Sequence, residues 1–128
     1  MSDKESIANG IVSAADKLGI IPVLYSLFGN RVHVLIHIKE SLCNGSIEEL
    51  NLDTRSHNAL MRSKLVTIGQ VVDMLNEGSI MRIRNLGKKS LVDIQTKTLD
   101  YAYQNASAKE KVRFALSLLD LNLDFDLP

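Results

Sequence analysis

Apolar residues recur at helical spacing along most of this chain, and the pattern predicts a mainly α-helical protein. In the first segment they fall on one helix face, at Ile7, Ala8, Ile11, Val12, Ala15 and Leu18. Ser2 and Glu5 have the spacing of a capping box at its start, and Gly19 stands where a terminating glycine is expected. Pro22 then suits the first turn of a second, short helix that ends near Gly29.

Residues 31–42 carry a pattern that fits two structures. Apolar residues alternate there with histidines and a leucine, which is typical of a strand rich in β-branched residues. No other segment of the sequence has the pattern of a partner strand, and a lone strand leaves its backbone groups unpaired. We therefore predict a helix whose inward residues are Val32, Leu35, Ile36 and Leu42. The alternative is a strand that pairs with its counterpart in a second copy.

Turn-forming residues at Asn44, Gly45 and Ser46 predict a boundary. We expect a helical N-terminal extension over residues 1–45 and a compact helical domain with an extra C-terminal helix over residues 46–128. Within the latter, cap and turn signals predict helices that begin near Thr54, Ile68, Ser79, Lys88 and Ala108. The first of these has Asp53 as its predicted cap, and the last has a predicted capping box of Ser107 and Glu110. The predicted fold class is all-α, with helix-hairpin-helix-like elements.

Composition limits the function classes. The 128 residues carry 15 Lys plus Arg against 15 Asp plus Glu, so any affinity for nucleic acid must come from a local patch and be modest. The single Cys43 excludes an intramolecular disulfide and fits a reducing compartment. The polar N-terminus does not resemble a signal peptide, and the apolar runs are too short to cross a bilayer. We expect a cytoplasmic protein.

The sequence Gly87-Lys88-Lys89-Ser90 predicts an anion site at the start of a helix. Glycine has no Cβ, so a ligand can approach the backbone closely. The first helical N–H groups lack intrahelical partners, and the helix dipole places partial positive charge there. Two lysines and a serine hydroxyl complete a set that suits phosphate. A nucleotide-binding P-loop would need a second glycine where Arg82 stands.

Two motifs together carry a family resemblance: Arg55-Ser56-His57-Asn58-Ala59-Leu60 and Asn85-Leu86-Gly87-Lys88-Lys89-Ser90-Leu91. They resemble the C-terminal domain of the bacterial RNA polymerase alpha subunit, a small helical domain that binds A/T-rich promoter DNA. The resemblance runs from about residue 46 to residue 103. It implies that Arg55 enters the minor groove and that Asn58 makes a polar contact at the same surface. It also implies that Gly87, Lys89 and Ser90 hold the adjacent phosphates, with Lys88 adding charge.

Three departures from the family pattern bear on this site. Ala59 stands where cysteine is usual, and Arg84 stands where proline commonly precedes the Asn-Leu-Gly sequence. The stretch before Asn85 is about one residue longer than usual, which would shift the two halves of the site relative to each other.

Other chemistry has little support in the sequence. His33 and His37 would share a helix face at a spacing that metal sites use, but no third ligand follows, so we expect no metal. The sequence shows no catalytic triad order and no paired carboxylates in an apolar setting, and we expect neither an enzyme nor a bound cofactor.

The resemblance implies a role in transcription. A protein that opens with its own methionine and capping box, without an assembly domain, is expected to be a freestanding relative of the alpha C-terminal domain. Its expected partners are A/T-rich double-stranded DNA, RNA polymerase, sigma factor or transcription activators. The alternative is an adaptor or decoy for these proteins that does not bind DNA. A third hypothesis is a helix-hairpin-helix accessory protein of repair or recombination. We also expect residues 1–45 to associate with a second copy, which would give a homodimer, or to dock a partner protein.

Overall fold

The computed structural model describes residues 3–122, and its regular structure in that range is helical. Seven α-helices follow one another: α1 (Asp3–Leu18), α2 (Ile20–Phe28), α3 (Glu40–Cys43), α4 (Thr54–Arg62), α5 (Ile68–Glu77), α6 (Lys88–Gln104) and α7 (Ala108–Asn122). Short 3-10 turns cover Gly29–Arg31, Ile47–Leu50 and Ser79–Arg82. Across the same residues β-pairing is limited to one isolated bridge, between Ser46 and Thr67. The predicted all-α fold class is confirmed.

The helices group into two compact units. The first holds the described residues up to Leu35 and from Ala106 onward, and the second holds Ile36 to Asn105. The last helix therefore groups with the N-terminal helices, whereas the sequence placed it with residues 46–105. The apolar pattern of α7 shows that one of its faces is buried, but not which helix covers that face.

In the first unit, α1 packs against both α2 and α7. Its core consists of Ala8, Ile11, Ala15, Ile20, Val23, Leu24, Phe114, Ala115, Leu118 and Leu119. The predicted capping box of α7 is present, because Ser107 and Glu110 each accept the backbone N–H of the other. Gly19 ends α1 with a φ of 90°, a conformation that glycine adopts readily. The capping residue predicted for α1, Ser2, lies outside the described residues.

The predicted helix over residues 31–42 is wrong. Helix α3 covers only its last few residues, and residues 32–39 have no regular secondary structure. The side chains of two asparagines form hydrogen bonds with the backbone of this segment, as a neighbouring strand would. Asn122 accepts the N–H of His33 at 2.6 Å and donates to its carbonyl at 2.8 Å. Asn76 does the same for Ile36, at 2.9 and 2.8 Å.

These bonds give two residues of the segment partners for their backbone groups without a helix or a sheet. Side-chain burial alternates along it, so that Ile36 is buried while Leu35, predicted to point inward, is 41% exposed. The strand-like pattern in the sequence therefore matches the alternate burial of side chains, although the residues form no ladder. Pairing with a second copy is untested and stays a prediction.

The second unit contains α3 to α6 around a core of Ile47, Leu50, Leu60, Ile68, Val71, Val72, Ile80, Ile94 and Leu99, among others. Thr67 and Gln70 form a complete capping box at the start of α5. Gly78 ends α5 in the left-handed conformation, with a φ of 78°. None of the helices within residues 3–122 is long and apolar enough to cross a membrane.

Candidate functional site

Helix α4 presents the first half of the predicted site. Asp53 caps its start by accepting the Ser56 N–H at 2.8 Å, as the sequence predicted. Arg55 and Asn58 follow on the exposed side of the helix. Neither side chain has an ion pair or hydrogen bond to any of the described residues, so both remain available to a ligand.

The start of α6 forms the second half. Gly87 is the N-cap, and the first turn has no cap from a side chain. Its φ of −76° and ψ of 165° are ordinary for any residue, and an added Cβ would meet nothing within 4 Å. The fold therefore does not require glycine here. The open space over Gly87 instead gives a ligand access to the uncapped N–H groups of the first turn.

The flanking side chains of α6 differ from one another in exposure. Lys88 and Lys89 are exposed, and in the part of the protein that the structure describes they form no ion pair. Ser90 is 2% exposed. Its side chain is therefore enclosed by the protein, and the phosphate contact expected of its hydroxyl stays an untested prediction.

Buried serines join the two halves. Ser56 is at the third position of α4 and Ser90 at the third position of α6, and both are almost fully buried. The Ser56 hydroxyl donates to the Ser90 carbonyl oxygen at 3.4 Å. Two helix N-termini therefore lie side by side, and the partial positive charges of both are concentrated in one region.

Asp93 provides a second connection between α4 and α6. Its carboxylate accepts the backbone N–H of Asp53 at 3.0 Å and pairs with Lys97 at 2.8 Å. Lys97 also donates to the Asn51 carbonyl at 2.9 Å, so the residues before α4 are held against α6. Burial alone would raise the pKa of Asp93. The hydrogen bonds from Lys97 and from the Asp53 backbone N–H, together with the positive charge of Lys97, outweigh that effect and hold the pKa below its usual value.

The turn before Gly87 extends the positive surface. The Leu86 N–H donates to the Ile83 carbonyl at 3.3 Å, and Asn85 adopts a φ of 61° within this turn. Asparagine tolerates that conformation better than most residues. Arg82 and Arg84 are exposed here, and the sequence from Ser79 to Leu91 contains no acidic residue. These two arginines add charge that the sequence analysis did not assign to the site.

The structure places Gly87, Lys88, Lys89 and Ser90 at the start of α6, Arg55 in the first turn of the adjacent α4 and Asn58 in its second turn. Sequence reasoning missed the roles of Ser56 and Asp93. Asp93 lies four residues before Lys97, a spacing typical of an ion pair within a helix, but the contact with Asp53 depends on tertiary structure. Among residues 3–122, no three potential metal ligands cluster together, and His33 and His37 lie on the irregular segment.

Comparison with known proteins identifies this unit. The family model for the C-terminal domain of the bacterial RNA polymerase alpha subunit matches residues 37–99. These residues make up most of the second structural unit, which runs from Ile36 to Asn105. Residues 37–99 belong to this family. The match begins about nine residues before residue 46, near which the sequence motifs placed the start of the resemblance.

Curated relatives agree with this assignment. The DNA-directed RNA polymerase subunit alpha of Rubrobacter xylanophilus is 45% identical over 64 residues, covering 50% of this chain and 20% of that protein. The corresponding subunit of Roseiflexus sp. is 42% identical over 57 residues, or 44% of this chain and 17% of its own length. No solved structure matches the sequence significantly.

One relative extends the similarity beyond the alpha C-terminal domain. The alpha subunit of Malacoplasma penetrans is 35% identical over 123 aligned positions, which cover 84% of this chain and 36% of that subunit. Its similarity therefore reaches into the helices of the first unit. The chain spans between about a sixth and a little over a third of the length of these relatives.

Proposed function

We propose that this protein binds double-stranded DNA in transcription, through the N-terminal turns of α4 and α6. One observation carries the proposal: two helix N-termini lie side by side, with exposed cations around an open glycine backbone. Such an arrangement suits the phosphates of a nucleic acid, because the uncapped N–H groups at the start of α6 and the surrounding positive charge are open to a ligand.

Within this surface, Arg55 reads the minor groove. A narrow A/T-rich groove has enhanced negative potential, and guanidinium loses water at less cost than ammonium does. Arg55 is exposed and has no acidic partner among residues 3–122, which supports this role. Gly87, Lys88 and Lys89 hold the neighbouring phosphates, and Asn58 adds a polar contact beside Arg55.

The partners in this proposal are A/T-rich duplexes together with RNA polymerase, sigma factor or activators. The names of the curated relatives support a place beside RNA polymerase. Net neutrality is the observation that favours the second candidate, an adaptor or decoy that contacts these proteins without DNA. The cations around Gly87 are exposed and form no ion pair with residues 3–122, which favours DNA, since an adaptor has no need of a phosphate site.

Binding to A/T-rich and G/C-rich duplexes of equal length across a salt series tests the proposal. We expect a preference for A/T-rich DNA in the wild type, and Arg55→Ala should reduce that preference. Lys89→Gln should weaken binding to both duplexes equally and reduce the salt slope by about 1, because one phosphate contact is lost. Equal loss on both duplexes in Arg55→Ala would contradict groove reading. Absence of DNA binding by the wild type would favour the adaptor.

A further inference from the structure

An apolar groove runs along one side of the first unit. It has a volume of about 500 Å³ and lies between α1 and α2. Its lining includes Ile7, Gly10, Ala14 and Leu18 from α1, with Pro22 and Leu27 from α2. Leu18 is 68% exposed, Leu27 55% and Ile7 44%. Large side chains exposed together around one groove typically mark a protein interface.

The α1 wall of this groove is complementary to itself. The α1 residues of this wall are Ile7, Gly10, Ile11, Ala14 and Leu18, so large and small residues alternate in an order that is the same in reverse. Two copies of α1 in antiparallel contact would place Gly10 opposite Ala14 and Leu18 beside Ile7. In that contact the small residues would let the helices approach closely, and each exposed Leu18 would fill the groove of the other copy. In such an isologous contact, both copies bury the same surface of α1.

The charges of α1 fit the same arrangement. Lys4 pairs with Asp120 and Asp16 with Lys111 within the first unit, so these two residues of α1 already have partners. Asp3 lies in the first turn and Lys17 in the last. Antiparallel contact brings the last turn of one α1 towards the first turn of the other, and the long side chain of Lys17 then reaches towards Asp3 twice across the two-fold axis.

We propose that the groove between α1 and α2 is the docking surface for a second copy of this protein, through a two-fold antiparallel contact of α1 with α1. Within residues 1–45, the predicted dimer contact is thereby assigned to the groove face of α1, with the two copies of α1 antiparallel. It does not depend on DNA binding, since the mass of the protein in solution tests it without DNA. A dimer would also present two DNA-binding domains and so gain affinity through bivalency.

Sedimentation of the full-length protein from low to high micromolar concentration tests the interface. We expect a monomer–dimer equilibrium in the wild type, and Leu18→Glu should make the protein monomeric with unchanged helical content. Leu121→Glu is the matched control, because Leu121 is 40% exposed on α7 and does not line the groove. Its dimer should persist. A strictly monomeric wild type, or equal effects of the two substitutions, would overturn the proposal.

Charge exchange tests the orientation of the helices. Lys17→Glu and Asp3→Lys should each weaken the dimer severalfold, and the double variant should recover most of that loss because each pair is restored with its signs reversed. If the two substitutions weaken the dimer additively, α1 does not pair in the antiparallel sense.

Disulfide capture tests the register of the contact. In a Cys43→Ser background, Gly10→Cys and Ala14→Cys proteins are mixed and oxidised. A Cβ at Gly10 meets nothing within 4 Å, so the first substitution is tolerated by the fold. We expect the mixed disulfide to exceed the share that random pairing of the two proteins would give. Ser13 is exposed on another face of α1, so the Ser13→Cys protein should cross-link poorly. Equal cross-linking at Ser13 would contradict the groove as the interface.

Discussion

The side chain of Asn76 binds both backbone groups of Ile36, accepting its N–H at 2.9 Å and donating to its carbonyl at 2.8 Å. One residue of α5 thereby gives the irregular segment the two hydrogen bonds that an adjacent strand would supply. The contact lies within the second structural unit, close to the start of the family match at residue 37.

We expect Asn76→Ala to lower the free energy of unfolding by about 1–3 kcal/mol, because it leaves the backbone N–H and carbonyl of Ile36, a buried residue, without their partner. Urea denaturation followed by circular dichroism measures the change. Asn44→Ala is a matched control, since Asn44 is exposed and its side chain has no hydrogen bond in the described structure. Its effect should stay within about 0.5 kcal/mol.

Gly87→Thr separates binding from folding. Threonine and glycine are similar N-caps, so the free energy of unfolding should change by less than about 0.5 kcal/mol. The new side chain would occupy the open space over the first turn of α6, and DNA affinity should fall at least tenfold, or about 1.4 kcal/mol. Fluorescence anisotropy with a labelled duplex measures the loss. Unchanged affinity would remove the glycine from the phosphate site.

Arg84→Pro tests the residue that departs from the family pattern. Arg84 precedes Asn85, whose positive φ suits the third position of a turn in which proline readily occupies the second. Ile83 has a ψ of 123°, as a residue before proline prefers. We expect the free energy of unfolding to rise by about 0.4–1 kcal/mol.

The same substitution should reduce the salt slope of DNA binding by about 1, because a cation beside the phosphate site is lost. Arg84→Gln removes the charge without the ring, so it should show the same change in slope and no gain in stability. Arg113→Gln, on the other structural unit, should leave the slope unchanged. A slope equal to that of the wild type in Arg84→Gln would exclude Arg84 from the DNA contact.

Asp93→Asn tests the connection between α4 and α6 through its pH dependence. The folded state lowers the pKa of Asp93, so its carboxylate stabilises the fold above the usual aspartate pKa. That contribution is lost as pH falls through the lowered pKa of the folded protein. Wild type should therefore be more stable than Asp93→Asn at neutral pH, with the difference shrinking in strong acid. Denaturant midpoints at both pH values measure it, and a constant difference would contradict the mechanism.

Sequence patterns predicted the elements whose causes are local. Asp53, the Thr67–Gln70 pair and the Ser107–Glu110 pair each start a helix through bonds that span at most three residues. The segment after Arg31 could not be predicted in this way, because its partners Asn76 and Asn122 lie 40 and 89 residues away. The burial of Ser90 escaped prediction for the same reason, since it depends on the contact between α4 and α6.

The pairing of α1 with α7 affects the order in which the protein folds. The first unit is built from both ends of the described sequence. In the sequence, the whole alpha C-terminal domain lies between these two parts. During synthesis, α1 cannot form its contacts with α7 until α7 has left the ribosome. All the residues of the second unit have by then been synthesised, so its internal contacts can form earlier. The second unit, which is continuous in the sequence, is therefore expected to fold first, and folding of the first unit depends on closing that long loop.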